Sequence, residues 1–337
     1  FSDSLGPMIM MMLLFISSLT MCMSGLMSNF EYDLKKIIAF STLIHLGLMS
    51  MILTLWESML AFFHLLKLAV YKALLFICAG SIICKVNDCQ DIRYMGSLGN
   101  FLPLTGAFFN ICSMALCGLP FLSGFYSKDL ILEFMSMGYM NMYVYMIFYL
   151  STGLTVMYSI RLLYYTMMGD FNGFSFMSVS DSSNFMLKGM SGLIFMVIFG
   201  GSTMSWLMFP TPYFICLPLL MKLMVLFIIM LGGTLGFILS KIMISDKSMS
   251  MYMYMFTVFM SSMWNLSYLS TFGVNYYILN VGGKMSELLG HGWSENLGSQ
   301  NLFDCLKVST LMFRVIFNNN LKNYLTLFLD RICFLII

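Results

Sequence analysis

Stretches of apolar residues recur along the chain and are separated by short polar segments. Each stretch has about 20 residues, enough to cross the ~30 Å hydrocarbon core of a bilayer as a helix. The pattern predicts an all-α polytopic membrane protein. The predicted helices cover residues 7–28, 36–56, 59–84, 103–136, 138–167, 187–209, 216–240 and 321–337.

The fourth stretch cannot continue as one regular helix, because Pro120 lies between Gly118 and Gly124. Proline removes a backbone donor and breaks or kinks a helix. Non-helical backbone at membrane depth is tolerated only inside protein or along a wet cavity, and transporters build ion sites at such breaks. We therefore predict a broken transmembrane helix, with a simple proline kink as the alternative.

The character of the chain changes after residue 270, where charged residues appear among the apolar ones. Leu302, Leu306, Phe313 and Phe317 are spaced to recur on one face of a helix. This region is too polar to cross a membrane. It predicts a long lateral amphipathic helix on the membrane surface, followed by a final transmembrane helix.

Composition supports the membrane class, since 60% of the residues are hydrophobic and 9% are charged, with a mean hydropathy of +0.87. A soluble domain carries roughly 25% charged residues. The net charge of +2 is too small to indicate a nucleic-acid-binding surface. The cysteines form no Cys-x-x-Cys motif, which predicts reduced thiols and no metal site. Because the chain begins at Phe1 without an initiator methionine, we expect the later part of a longer polypeptide.

If the predicted helices alternate in direction, the basic loop residues share one side of the membrane. The short opposite loops hold Glu57 and no basic residue, with Lys222 near the end of a helix as the exception. This bias orients the chain with its basic side in the compartment where it was made. The basic residues concerned are Lys35, Lys36, Lys85, Arg93, Lys241 and Lys247.

The most informative residue is Lys72, because it lies in the middle of the third apolar stretch. A lysine at the centre of a membrane helix costs about 3 kcal/mol on insertion scales, and such residues commonly move ions or protons. His64 lies eight residues earlier, on roughly the same face, and Lys67 lies on a different face. His64, like His45 in the second stretch, could equally be a packed, hydrogen-bonded histidine.

A dense group of charges follows the break at Pro120. Lys128 and Asp129 are adjacent, and they are either a switchable pair or a neutralising pair that makes burial tolerable. Arg161, late in the fifth stretch, is predicted to be an interfacial anchor rather than a proton carrier. The residues that we expect to support the lysine are Tyr126, Ser127, Glu133 and the flanking Gly118, Pro120 and Gly124.

Several segments together resemble the subunit 5 family of mitochondrial NADH:ubiquinone oxidoreductase, respiratory complex I. They are residues 34–56, AVYKALLFICAGSII at 69–83, QDIRYMGS at 90–97, GLPFLSGFYSKDLILE at 118–133, TGLTVMYSIRLLYY at 152–165, FPTPY at 209–213 and GWSENLGSQNL at 292–302. The resemblance implies the second half of an antiporter-like fold. The implied domains are a five-helix proton-channel bundle (1–167), two further transmembrane helices and an interfacial segment (168–270), the lateral amphipathic helix (271–320) and the C-terminal transmembrane helix (321–337).

By this resemblance, the chain is a proton-translocating core subunit in the distal pump module of complex I, in the mitochondrial inner membrane. Lys72 becomes the central relay lysine and Lys128 the terminal lysine toward the outer exit, with His64 on the path and Asp129 biasing release. The chain itself holds no cofactor, because FMN, iron–sulfur clusters and ubiquinone are expected elsewhere in the complex. The implied partners are other complex I subunits, especially antiporter-like neighbours along the lateral helix, the missing N-terminal bundle, and membrane lipids, including a bound phospholipid such as cardiolipin.

The chain departs from the family pattern at four positions. Leu68 stands where the family has a histidine, Lys67 replaces a threonine-like residue, His45 replaces a glutamine and Cys84 replaces a loop histidine. We hypothesise that His45 or Lys67 partly compensates for Leu68. Two other functions remain open: a stand-alone sodium/proton antiporter, and a structural complex I subunit that has lost transport.

Overall fold

The computed structural model describes residues 4–138, 141–173, 179–241, 253–318 and 320–336. It divides into two compact units, Phe1–Trp264 and Asn265–Ile337. The helices of the first unit are α1 (Pro7–Phe30), α2 (Leu34–Thr54), α3 (Ser58–Lys85), α4 (Leu98–Phe101), α5 (Pro103–Cys117), α6 (Ser123–Met137), α7 (Met142–Leu163), α8 (Asn184–Met208), α9 (Leu219–Lys241) and α10 (Tyr254–Ser261). Those of the second are α11 (Gly273–Met285), α12 (Asn301–Ile316) and α13 (Leu321–Ile336).

Six helices of the described ranges are long and apolar enough to cross a membrane by length and composition: α1, α2, α3, α7 with its wide-turn extension to Met168, α8 and α9. The predicted class, an all-α polytopic membrane protein, is confirmed. The helix α13 has 16 residues, and its crossing of the membrane stays a prediction. Lys247 and the start of the predicted interfacial segment 250–270 lie outside the described residues.

The predicted break in the fourth stretch is present and is larger than a proline kink. α5 ends at Cys117 because Gly118 adopts a left-handed conformation with φ of 83°, which favours glycine. The chain then runs without helical structure until α6 begins at Ser123. Gly124 passes against the α5 backbone so closely that an added Cβ would lie 1.8 Å from the Ala115 carbonyl oxygen. The two half-helices have 15 residues each, about 22 Å, and neither alone matches the ~30 Å core.

The loop that precedes α8 ties down the start of the broken helix. The Asp181 carboxylate forms an ion pair with Lys85 at the end of α3, with a Nζ–Oδ1 distance of 2.8 Å. It also accepts hydrogen bonds from the backbone N–H groups of Leu104 (3.0 Å) and Thr105 (3.4 Å) in the first turn of α5. A carboxylate at this position satisfies otherwise unpaired N–H groups and favours the helix dipole.

Arg161 lies between helices of the bundle, and its predicted depth at the membrane interface stays a prediction. Its side chain is 6% exposed, and its two terminal nitrogens donate to the carbonyl oxygens of Asn29 and Glu31. These carbonyls lie at the C-terminal end of α1, where the helix dipole favours a cation. The guanidinium also lies 5.3 Å from the ring centroid of Tyr32. Arg161 therefore fastens the end of α1 to α7.

The second unit contains a nearly continuous helical backbone from residue 266 to residue 316. Wide π-helical turns at Ser286–Trp293 and Asn296–Gln300 separate α11 from α12. The apolar residues that were predicted to share a face are exposed within this unit, for example Leu302 and Leu306. The described backbone is thus helical to Ile316, and the lateral amphipathic helix predicted for 271–320, with its position on a membrane surface, stays a prediction.

Candidate functional site

Among the described residues of α2, α3 and α6, five buried side chains carry basic nitrogens. His45 lies on α2, Lys128 lies on α6, and the other members lie on α3. Each is exposed by 4% or less, and so the lysine burial predicted from sequence is confirmed. The five are His45, His64, Lys67, Lys72 and Lys128.

Lys72 reaches across from α3 to α2. Its ammonium nitrogen donates a hydrogen bond to the Ser41 hydroxyl, which itself donates to the Ile38 carbonyl one turn earlier at 2.5 Å. In the described residues no carboxylate forms an ion pair with Lys72. A hydroxyl can accept from an ammonium or donate to a neutral amine, and so this contact serves both protonation states.

The two histidines lie side by side between α2, α3 and α6. Their ring centroids are 5.5 Å apart, and the His45 ring also meets the edge of Tyr71 at 6.0 Å. His64 Nδ1 lies 3.1 Å from the Ser127 hydroxyl, and the tautomer decides which atom donates. Both ring nitrogens of His45 and Nε2 of His64 find no hydrogen-bond partner among the residues that the structure describes. Buried polar atoms of this kind are commonly satisfied by water.

Lys128 lies at the break between the two half-helices. Its ammonium donates to the Thr155 hydroxyl on α7 at 2.7 Å and approaches the Leu116 carbonyl oxygen, near the end of α5, at 3.4 Å. The C-terminal end of a helix carries partial negative charge, which favours a cation there. The broken helix therefore supplies part of the electrostatic environment of this lysine, as expected for a site at a helix break.

A small cavity lies between the partners of the two lysines. It has a volume of about 20 Å³ and is lined by Ser41, which binds Lys72, and by Leu116, which binds Lys128. The hydroxyl-bearing residues Ser113, Tyr158 and Ser159 also line it. A water molecule needs about 10–15 Å³ of such space and two or more polar partners. The cavity has the volume for one water, and its accessible lining is almost entirely apolar; the Tyr158 hydroxyl has no hydrogen-bond partner among the described residues.

Lys128 and Asp129 do not form the predicted ion pair. Neighbouring residues on a helix point in different directions, and none of the ion pairs in the described residues joins these two. Asp129 is instead half-buried, and the charges that act on it are those of Glu133 and Lys222. Lys222 had stood out in the sequence as the exception on its side of the membrane. The ion pair itself is therefore absent from the described residues, and a part for Asp129 in proton release from Lys128 stays a prediction.

The supporting residues have different surroundings. Lys67 has no hydrogen-bond partner in the part of the chain that the structure describes, and its Nζ lies 5.0 Å from the centroid of the Phe63 ring. Leu68 packs against the main apolar cluster. Tyr126 is half-buried beside Ser127, on the α6 turn that Gly124 brings close to α5.

Sequence reasoning missed the hydroxyl partners of the two lysines, Ser41 and Thr155. Serine and threonine are common in membrane helices, where their hydroxyls donate to the backbone of their own helix. Residue type alone therefore does not identify them as partners of a lysine. Ser41 carried one usable signal, since it lies one turn before His45 on α2. Within the described ranges, no cluster of three or more His, Cys, Asp or Glu side chains could hold a metal ion.

Comparisons with known proteins match the whole length of the chain. A family model described as NADH:quinone oxidoreductase/Mrp antiporter, TM, matches residues 1–155. A second, described as NADH dehydrogenase subunit 5 C-terminus, matches residues 158–337. The predicted resemblance is confirmed by these matches.

Curated relatives named NADH-ubiquinone oxidoreductase chain 5 are similar over most of the chain. The one from Anopheles gambiae is 50% identical over 313 residues, which are 93% of this chain and 54% of the relative. The one from Locusta migratoria is 48% identical over 94% of this chain and 55% of the relative. The one from Lumbricus terrestris is 32% identical over 93% and 54%. The chain thus spans about half the length of these relatives.

Proposed function

Because the chain belongs to the NADH dehydrogenase subunit 5 family, we propose that it is a proton-translocating membrane subunit of respiratory complex I, NADH:ubiquinone oxidoreductase. Protons move through it by a relay of buried lysines. The observation that carries this proposal is the burial of Lys72 and Lys128 against the hydroxyls of Ser41 and Thr155, with no ion pair to a carboxylate in the described residues.

The relay step is a proton transfer between two amines through water. The Lys72 ammonium gives a proton, by way of the Ser41 hydroxyl, to an intervening water, and that water gives a different proton to the neutral amine of Lys128. Lys72 is left neutral and Lys128 charged, and the water is unchanged. Since the two lysines share one low-dielectric region, their titrations are coupled and belong to the pair.

Two histidines are available to reload Lys72. His45 lies one turn from Ser41 on α2, and His64 is held by Ser127 on α6, next to Lys128. Their unpartnered ring nitrogens have room to accept or donate when water enters. We propose that a proton reaches Lys72 from this histidine pair, and that changes in the charges around Asp129 bias its release from Lys128.

The remaining parts of the proposal follow from the family. The subunit lies in the distal pump module, in the mitochondrial inner membrane, and quinone reduction elsewhere in the complex drives it. FMN and iron–sulfur clusters belong to other subunits. The second unit, with its exposed apolar face, contacts neighbouring antiporter-like subunits, and phospholipid such as cardiolipin fills the lipid-facing surfaces.

The test is a Lys72→Met variant in the assembled complex, reconstituted in vesicles. Methionine is unbranched and apolar like the lysine stem but cannot carry a proton, so we expect NADH-driven proton uptake to fall on the order of 100-fold, a typical contribution of a positioned proton carrier. Lys36→Met is the control, because Lys36 is exposed and pairs only with Asp33. Unchanged pumping by the assembled Lys72→Met complex would refute the relay.

One observation favours the structural alternative, a subunit that has lost transport. Leu68, at the position of a family histidine, packs against the apolar cluster and offers no polar atom to a proton path. We expect Leu68→His to change proton uptake per NADH by less than about twofold, since a functional relay already bypasses the position. A large gain in uptake would show that the native path is impaired. Purification of the chain without partner subunits would instead favour a stand-alone sodium/proton antiporter.

A further inference from the structure

A second cavity lies at the other end of α3, beneath the loop that follows α8. Its volume is about 370 Å³, and its lining includes Phe63 on α3, Tyr126 on α6, Ser205 on α8, and Phe209 and Tyr213 on the loop. A water in the liquid occupies about 30 Å³, so this cavity has room for several. It is much larger than the space between the lysines and lies on the side of the membrane with few basic loop residues.

The inner wall of this cavity adjoins the buried nitrogens. Phe63 and Tyr126, which line the cavity, are the chain neighbours of His64 and Ser127, and the His64–Ser127 contact itself is fully buried. The ring of Phe63 also lies under the ammonium of Lys67, 5.0 Å from its centroid. Lys67 is 3% exposed and has no hydrogen-bond partner among the described residues. An unpaired buried ammonium is costly, and water entering past Phe63 would satisfy it.

The outer wall of the cavity is held by one hydrogen bond. The Tyr213 hydroxyl donates to the Glu57 carboxylate at 2.9 Å, and this contact joins the loop before α3 to the loop after α8. The Phe209 ring packs edge-on against Phe63, with centroids 5.1 Å apart, and against Tyr213 at 5.3 Å. Aromatic side chains therefore line most of the cavity, Glu57 is tied to it through Tyr213, and Phe63 packs against Phe209 on its inner side.

We propose that this cavity is the outer vestibule of the proton path, with Lys67 as its inner proton carrier and the Glu57–Tyr213 pair as its latch. The proposal rests on the function proposed above and adds an outlet to it. Lys67 lies five residues nearer the cavity end of α3 than Lys72, about 7.5 Å along the axis. It is therefore on the outward side of the central lysine.

The outlet step moves one proton from Lys128 to the bulk and returns each carrier to its starting state. The Lys128 ammonium left by the relay gives a proton through water to the neutral amine of Lys67 and becomes neutral again. The Lys67 ammonium then gives a proton to vestibule water, and Glu57 passes it to the bulk when Tyr213 turns aside. The other titratable side chains on the elements packed around this part of α3 are His45, Lys72, Tyr126, Lys128, Asp129 and Glu133.

The first test compares Lys67→Met with Lys67→His in the assembled complex. In Lys67→Met we expect proton uptake per NADH to fall roughly tenfold or more, a smaller loss than the usual contribution of a positioned proton carrier. Lys67→His should recover most of it, because imidazole also carries a proton. A purely structural lysine would not be rescued in this selective way. Equal pumping by Lys67→Met and the unchanged complex would overturn the proposal.

The second test asks whether the cavity is wet. A Ser205→Cys variant in a Cys216→Ser background is treated from the outer side with a membrane-impermeant cationic thiosulfonate. We expect modification and a several-fold loss of pumping, since the bulky cation fills the vestibule. Thr203→Cys is the matched control, because Thr203 is exposed on α8 and does not line the cavity. If only a lipid-soluble thiol reagent modified Ser205→Cys, the cavity would be a dry lipid pocket and the vestibule would be disproved.

Parallel measurement of Lys72→Met separates the two proposals. Loss of pumping in Lys72→Met, with none in Lys67→Met or modified Ser205→Cys, removes the vestibule and keeps the relay. Unchanged pumping in Lys72→Met removes the relay itself.

Discussion

At the scale of single residues, the notable feature is that Lys72 and Lys128 bind hydroxyls rather than carboxylates. A carboxylate partner stabilises the ammonium form and resists its deprotonation. Ser41 and Thr155 instead can accept from the charged amine or donate to the neutral one. The missing Lys128–Asp129 ion pair is consistent with this, because a lysine that must release its proton is better served by a neutral partner.

Removal of the Lys128 partner should slow the relay. In Thr155→Val the shape is kept and the hydroxyl is lost, and a hydrogen bond to a charged group contributes about 1.5–3 kcal/mol. If about 1.4 kcal/mol of this falls on the limiting step, proton uptake slows roughly tenfold. Thr152→Val is the control, since the Thr152 hydroxyl is equally buried and donates only to the Tyr149 carbonyl in its own helix. Similar rates in the two variants would show that the Thr155 contact is incidental.

At the scale of elements, the first half of the broken helix, α5, is fixed at both of its ends. Gly118 ends the first half, and Asp181 fixes its beginning through Lys85 and two backbone N–H groups. The proline and glycines made the break predictable, because local backbone chemistry alone forbids a continuous helix there. The Asp181 contact was not predictable, since its partners are 76 or more residues away in the chain.

The Asp181 contact should make stability depend on pH in the acid range. Burial raises the pKa of this carboxyl, but the hydrogen bonds from Lys85, Leu104 and Thr105 outweigh burial and hold it below the ordinary 3.8. A lowered pKa contributes stability above the unfolded-state value and loses it as pH falls below that value. The melting temperature of Asp181→Asn should therefore lie below that of the unchanged protein at pH 7, and the gap should close below about pH 4.

Asp88→Asn serves as the control for this experiment. Asp88 is exposed in the turn after α3 and has a positive φ of 59°, which asparagine adopts well. Its melting temperature should match the unchanged protein throughout. A constant gap for Asp181→Asn down to pH 3 would mean that the carboxylate charge is not what stabilises the start of α5.

At the scale of the whole molecule, the sequence predicted what depends on composition and local chemistry. The lengths of the apolar stretches predicted the membrane-spanning helices. Isolated charges within those stretches indicated Lys72 and Lys128 as candidate functional residues. Contacts between side chains of different elements could not be predicted. Examples are Ser41 with Lys72, and Glu57 with Tyr213, which are 156 residues apart in the chain. Such contacts depend on how helices rotate against each other, and no local pattern encodes the rotation.

The membrane orientation can be tested through two native cysteines. Cys84 is exposed at the basic end of α3, and Cys216 is exposed in the loop between α8 and α9, which meets the opposite end of α3 through Tyr213 and Glu57. α3 has 28 residues and so extends about 42 Å, more than the ~30 Å hydrocarbon core. The two thiols therefore belong on opposite sides of the membrane.

In variants that retain only one of these cysteines, an impermeant maleimide should modify Cys216 in mitochondria whose outer membrane has been opened. Cys84 should react only after the inner membrane is opened as well, because the basic side of a membrane protein stays in the compartment of synthesis. A variant lacking both thiols gives the background. Modification of both from the same side would mean that α3 does not cross the bilayer. The lysine relay and the vestibule would then have no two compartments to connect.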